Sequence, residues 1–166
     1  MDLESLLAEQ SSLDPDDPRY VPLSFGSFLR AVLDELPELR PIVDREVSLW
    51  EEIFTTPILG YLSSAVMERQ GRVLAGEGTD RDRAIVDRWL ALGEEAMSDP
   101  FLADVFASTA GDDLLFDERG RSLHDRLGPL ARQRLQSRYP WMITNKPPEH
   151  DKASSEDSIR GQQRLL

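Results

Sequence analysis

The stretch Ser24-Phe25-Gly26-Ser27-Phe28-Leu29-Arg30-Ala31-Val32-Leu33-Asp34-Glu35-Leu36-Pro37 decides the fold class. Its apolar residues Phe25, Phe28, Leu29, Val32, Leu33 and Leu36 recur in steps of three and four, which sets them on one side of an α-helix. Pro37 and Pro41 bracket the end of that helix, because proline lacks the N–H that a helix interior needs. Pro41 then suits the first turn of a second helix, with Val43, Val47, Trp50 and Phe54 on one face. Working outward, Thr55-Thr56-Pro57 reads as a hydroxyl cap followed by proline. It opens a third helix carrying Leu59, Leu62, Val66 and Val73 that stops near Gly76. Thr79 with Asp82 three positions on is a capping-box pattern, followed by the stripe Ile85, Trp89, Leu92 and Ala96. Asp99-Pro100 opens a fifth helix with Leu102, Val105, Phe106 and Thr109 inward, which Leu114, Leu115 and Phe116 extend toward Gly120. Ser122 and Asp125 repeat the capping-box pattern for a sixth helix with Leu127, Leu130, Ala131 and Leu135, kinked or restarted at Gly128-Pro129.

No segment alternates in the manner of a strand. The expected fold class is therefore all-α, an antiparallel bundle or pair-stacked array of five to six helices with polar terminal arms. Residues 1–22, which include Asp14-Pro15-Asp16-Asp17-Pro18, read as an acidic N-terminal arm holding no more than a helical turn around Leu3, Leu6 and Leu7. Residues 23–143 read as a single helical domain, and the polar stretch 144–166 as a disordered tail. A chain of 166 residues is long enough to bury one sizeable core. Its N-terminus has no basic region leading into an apolar run, and no apolar run approaches the ~20 residues that cross a bilayer. The expectation is a soluble, cytoplasmic protein with no membrane partner. With no cysteine, disulfides and thiolate metal sites are excluded.

The formal net charge is −12, which disfavours nucleic acid or an anionic lipid surface and favours a basic partner. Most of it is N-terminal: residues 1–70 hold 14 acidic and five basic side chains, residues 71–166 hold 17 and 14.

Motifs for chemistry are sparse. The two histidines, His124 and His150, are not at helical spacing, and no glutamate is followed by histidine three positions later, so a carboxylate-bridged di-iron site is not encoded. Ser122 is better explained as a helix cap than as a nucleophile beside His124. Gly71, Gly76 and Gly78 fit neither a dinucleotide fingerprint nor a phosphate loop. The pairs Glu51-Glu52, Glu94-Glu95 and Asp112-Asp113 have the residue type for acid and base work, but neighbours on a helix point about 100° apart. No catalytic residue, metal site or cofactor is expected.

Two charge features remain. Asp34, Glu35, Glu38, Asp44, Glu46, Glu51 and Glu52, offset by Arg40 and Arg45, span the first two helices. They read either as an anionic face that steers a cationic partner or as a solvated outer surface. Trp50 beside them is a residue type that anchors interfaces, although its place in the apolar stripe argues for the core. Arg119, Arg121, Arg126, Arg132, Arg134 and Arg138, opposed within their own segment only by Asp125, read as neutralising the acidic helices, within the chain or across a dimer. Stacking aromatics are not interleaved with them, which argues against RNA.

The strings Phe28-Leu29-Arg30 through Leu36-Pro37-Glu38-Leu39, Val47-x-x-Trp50-Glu51-Glu52, Leu59-Gly60-Tyr61-Leu62 and Leu92-Gly93-Glu94-Glu95-Ala96-Met97, with the segment from Asp99 to Phe106, resemble an uncharacterised all-helical bacterial family found among candidate immunity proteins of toxin loci. The resemblance covers residues 25–118. It implies a non-catalytic protein whose helical surface binds and blocks a cognate toxin, and the net charge adds the expectation that the toxin's surface is basic. On the residues alone, the partner-binding set is Asp34, Glu35, Glu38, Asp44, Glu46, Trp50, Glu51 and Glu52. The alternatives are a helical adaptor or regulator that self-associates as a homodimer and, third, a hydrolase or metal enzyme with an unrecognised carboxylate site.

Overall fold

The computed structural model describes residues 2–140, and every regular element among them is helical. Among these residues the α-helices are α1 (Leu3–Gln10), α2 (Leu23–Glu35), α3 (Arg40–Trp50), α4 (Thr55–Leu74), α5 (Asp80–Ala96), α6 (Pro100–Ser108), α7 (Ala110–Phe116), α8 (Glu118–Arg121) and α9 (Pro129–Arg138), with 3-10 turns at Pro37–Leu39 and His124–Arg126. The tail expected over 144–166, and the last residues of the domain expected to end at 143, lie outside the described residues.

The two longest helices, α4 and α5, form a hairpin on which the rest is assembled. α4 packs against α3, α6, α7 and α8, and α5 against α2, α6 and α9. The Thr79 capping box closes as the sequence predicts: Asp82 N–H donates to Thr79 Oγ1 at 3.1 Å and Thr79 N–H donates to Asp82 Oδ2 at 3.0 Å. The Asp82 carboxylate also receives Arg72 at 2.6 Å and Arg69 at 3.1 Å from α4, so one cap ties both helices of the hairpin. Arg72 first, then the Thr79 backbone and hydroxyl, hold its pKa far below the ordinary carboxylate value. The stripes of α2 and α5 meet in the core, where Phe25, Leu29, Ile85, Trp89 and Leu92 are almost wholly buried and Trp89 lies 5.7 Å from the Phe106 ring. Each such side chain contributes about 1.5–3 kcal/mol of transfer free energy. For helices of this length, that burial outweighs intrinsic propensity.

Several readings change. Residues 2–22 are not a free arm. α1 starts at Asp2, whose carboxylate accepts from Ser5 N–H at 2.8 Å, and buries Leu3, Leu6 and Leu7 in the common core. Gly26 lets Leu7 pack close, since a methyl group there would meet Leu7 Cδ2 at 2.9 Å and the leucine tip would have to shift. Gln10 Oε1 accepts from Val21 N–H at 2.7 Å and fastens the far end of the acidic loop.

The second helix stops at Trp50, because Glu51 turns into the left-handed region at φ 53° while its N–H closes on Val47 O. The break rotates the following residues: Ile53 enters the core, whereas Trp50 and Phe54 stay outside. The hydroxyl cap expected at Thr55 is not made, and Phe54 occupies the cap position without a side-chain bond.

The fifth helix breaks at Thr109, whose Oγ1 donates to Val105 O at 2.6 Å, and resumes as α7. A second break follows at Asp117, whose carboxylate accepts from Arg119 N–H at 2.8 Å. Ser122 does not start a sixth helix but closes α8 as its C-cap residue. Its hydroxyl donates to Arg119 O at 2.6 Å and accepts from Gln70 Nε2 at 2.9 Å, and the chain restarts at Pro129 with Leu130 exposed. These breaks, together with α1, raise the helix count above the five or six expected.

Candidate functional site

The eight residues of the expected binding face divide into two groups. Glu35 and Glu38 are taken by α5. Arg88 Nη2 donates to Glu35 at 2.6 Å while Nη1 reaches Glu95 at 3.0 Å, and Arg81 Nη2 donates to Glu38 at 2.8 Å. Arg88 lowers the pKa of Glu35 and Arg81 that of Glu38, in each case as the largest influence. Glu46 is buried and accepts from Arg45 Nε at 3.1 Å. Asp34 is exposed beside Arg30, which is itself held by Glu4 at 2.9 Å. None of these four presents a carboxylate free of a local cation.

The second group surrounds the corner where α3 gives way to α4. The left-handed turn at Glu51 leaves Trp50 56% exposed, and its ring meets Phe54 edge to face at 5.8 Å. Leu49 and Tyr61 are exposed on the same two helices, and Arg45 lies over the Tyr61 ring at 5.4 Å. Asp44, Glu51 and Glu52 carry no ion pair among the described residues. The corner is thus apolar at its centre and anionic at its border, the composition of an interface core with a polar rim. Sequence reading left Trp50 between an interface anchor and the core, because the stripe Val43, Val47, Trp50, Phe54 presumes an unbroken helix. Leu49, Phe54 and Tyr61 were missed as surface residues for the same reason.

Behind this corner a cleft of about 160 Å³ opens between α1 and the connection after Trp50. Leu6, Leu13 and Ile53 supply its apolar lining, and Glu9, Gln10, Arg19, Glu51 and Glu52 the polar one. Arg19 is bound in a fork by Asp17, at 3.2 and 3.0 Å, and lies 3.7 Å from Glu9. Asp17 raises the Arg19 pKa most, with smaller additions from Glu9 and Glu52.

The arginine-rich segment is arranged differently. Arg126 pairs with Asp87 of α5, and Arg134 and Arg138 reach Asp104 of α6 at 3.3 and 3.4 Å. Arg119 forks onto Asp117, Arg121 donates to Phe116 O at 2.8 Å, and Arg132 donates to His124 O at 2.5 Å. All six act within the chain, yet their acidic partners are not on the first two expected helices, which α5 neutralises instead. α9 also draws on α5: the Glu94 carboxylate accepts from Leu130 N–H and Ala131 N–H, both at 2.8 Å. A side chain at Gly128 would collide with that carboxylate.

The groups considered for chemistry are engaged elsewhere. His124 Nε2 donates to Leu114 O at 2.6 Å, Ser122 bonds Gln70 and Arg119, and Glu94 and Glu95 face different partners. Among the described residues no group of three or more candidate metal ligands forms, and no helix is long and apolar enough to cross a membrane. No protein-family model, curated protein or solved structure matches the chain.

Proposed function

We propose that the chain is a non-catalytic binding protein that docks a basic protein partner on the corner between α3 and α4. The observation that carries this reading is the solvent-facing Trp50–Phe54 pair with the carboxylates of Glu51 and Glu52 between its two rings in sequence, and Asp44 exposed further back on α3. An exposed aromatic pair is costly to leave in water and useful as an anchor, and tryptophan is prominent among residues that dominate binding energy. The carboxylates add long-range attraction for a cationic surface in a chain whose net charge is −12. With the resemblance noted above, the partner is a toxin, and the protein is its cytoplasmic immunity factor on a scaffold of antiparallel bundled helices. The anionic site narrows from eight residues to Asp44, Trp50, Glu51 and Glu52, joined by Phe54.

A second reading, self-association of a helical adaptor, is favoured by the same exposed Leu49, Trp50 and Phe54. Salt separates the two. Added salt screens surface charge, the Debye length falling from ~10 Å at 0.1 M to ~3 Å at 1 M. Binding of a basic peptide or a candidate toxin therefore weakens as salt rises, whereas pairing of two like-charged copies strengthens. Tryptophan fluorescence during titration with an arginine-rich peptide, with the Trp50→Phe variant subtracted to isolate the Trp50 signal, beside sedimentation of the protein alone at both salt concentrations, reads the difference. A Trp50 signal indifferent to the peptide, with dimers that grow with salt, overturns the toxin-binding reading.

A further inference from the structure

We infer that the segment which docks on the corner between α3 and α4 is an amphipathic helix of the partner, basic at one end of its apolar stripe. The inference rests on the docking reading above and names what kind of segment docks. Eight large apolar side chains are exposed among the described residues, and four of them, Leu49, Trp50, Phe54 and Tyr61, lie on this one corner. The other four are spread over α2, the far end of α4, α7 and α9. Single exposed apolar residues are ordinary, whereas a group of them marks a contact surface. From Phe54 at the cap of α4 to Tyr61 the chain makes two turns of helix, so the line they define runs about 10 Å. Trp50 meets Phe54 edge to face at one end of that line, and at the other Arg45 of α3 lies 5.4 Å from the Tyr61 ring. α3 and α4 thus present one apolar strip between them.

A helix suits this strip better than an extended chain. Every regular element among the described residues is helical, so the corner offers side chains but no sheet edge whose backbone groups a strand could pair with. A helix arrives with its backbone bonds closed and shows side chains at i, i+3, i+4 and i+7 over the same two turns. Charge then sets its polarity. Glu51, exposed without an ion pair among the described residues, directly follows Trp50, whereas the largely exposed Arg45 stands over Tyr61. Basic side chains of the incoming helix therefore belong over the Trp50 end, and its Tyr61 end is apolar or acidic. A wholly acidic helix is repelled at Glu51, and an anionic lipid surface by a chain of net charge −12. A second copy brings another Glu51 and the same net charge, so it answers the apolar half of the strip and not the charged one.

The test titrates the full chain with three peptides of about 15 residues, a length at which an isolated helix is marginal. The first carries leucines at helical spacing with lysines grouped at one end, the second the same residues permuted so that leucines alternate, and the third glutamate in place of lysine. Binding is read by the gain of helical circular dichroism and by tryptophan fluorescence, with the Trp50→Phe variant subtracted. The first peptide should gain helix and move the Trp50 signal. The second should bind about tenfold more weakly without gaining helix, and the third should not bind. Tyr61→Ala should weaken the first peptide about tenfold while leaving the Trp50 response to an arginine-rich peptide unchanged. Leu49→Ala repeats that reading at a second exposed side chain, should Tyr61→Ala fail to fold. A Trp50 response with equal affinity for the ordered and permuted peptides overturns the helix and leaves the docking surface. A Trp50 signal silent to every basic peptide removes the docking surface and this inference with it. Dimers of the chain that exclude the first peptide make the second copy the occupant and overturn the helix as well.

Discussion

The corner between α3 and α4 and the arginine-rich segment after Phe116 are both dense in charge, yet the protein treats them in opposite ways. Every arginine from Arg119 to Arg138 is spent on a carboxylate or carbonyl of the same chain, whereas Asp44 and Glu51 are exposed without an ion pair among the described residues, Glu51 directly after the bare ring of Trp50. Charge that closes on itself holds a fold; charge left open next to apolar surface is available to something else. Trp89 and Trp50 repeat the division. Trp89 lies inside α5 with no exposed surface, and Trp50 ends α3 with more than half of its surface bare.

The contrast can be broken by substitution. Trp89→Ala should cost about 3–5 kcal/mol in a urea melt, while Trp50→Ala should stay within about 0.5 kcal/mol and lose the response to basic peptide. Equal costs would erase the distinction between the regions. Next in size is Glu94→Ala, which strips Leu130 N–H and Ala131 N–H of the carboxylate that accepts from both. Removal of a cap costs about 0.5–2 kcal/mol, and hydrogen exchange should rise in α9 before it rises in α4 or α5. A uniform rise would mean that α9 is not held separately.

Acid offers a third test. The folded pKa of Asp82 lies below its ordinary value of 3.8, chiefly because of Arg72. The unfolded chain therefore takes up this proton first as pH falls. The stabilisation is complete above the ordinary value and is lost as pH drops below it toward the folded one. Asp82→Asn should flatten the fall of stability below about pH 4 relative to the parent chain, and an unchanged fall there would remove Asp82 from the ties of the hairpin. The smallest effect on stability belongs to Glu51→Gln with Glu52→Gln, within about 0.5 kcal/mol, although binding of basic peptide should be lost. A large loss of stability there would show those carboxylates to be structural after all.

Local signals carried much of this architecture in the sequence. Thr79 with Asp82 and Asp99 with Pro100 marked helix starts that exist, since a cap and its partner lie within three residues. The stripe from Phe25 to Leu36 marked a buried face for the same reason. What was not legible depends on distant partners. Leu3, Leu6 and Leu7 are too few to announce a helix until Gly26 gives them a surface, and Ser122 resembles an N-cap until Gln70, far back in the chain, claims its hydroxyl. The acidic face was misjudged at Glu35 and Glu38 because Arg88 and Arg81 come from another helix. At Trp50, periodicity could not register a single left-handed residue, Glu51, that interrupts the period itself.

The Glu94 clamp also bears on the order in which the molecule can form. α9 has glycine at its cap position and buries only Ala131 and Leu135, so as an isolated peptide it has little reason to coil. Its first turn becomes favourable only once α5 has set Glu94 in place. A ribosome delivers α5 more than thirty residues before Pro129. The acceptor is therefore waiting when the segment that needs it emerges, and the last helix is completed on a surface made in advance.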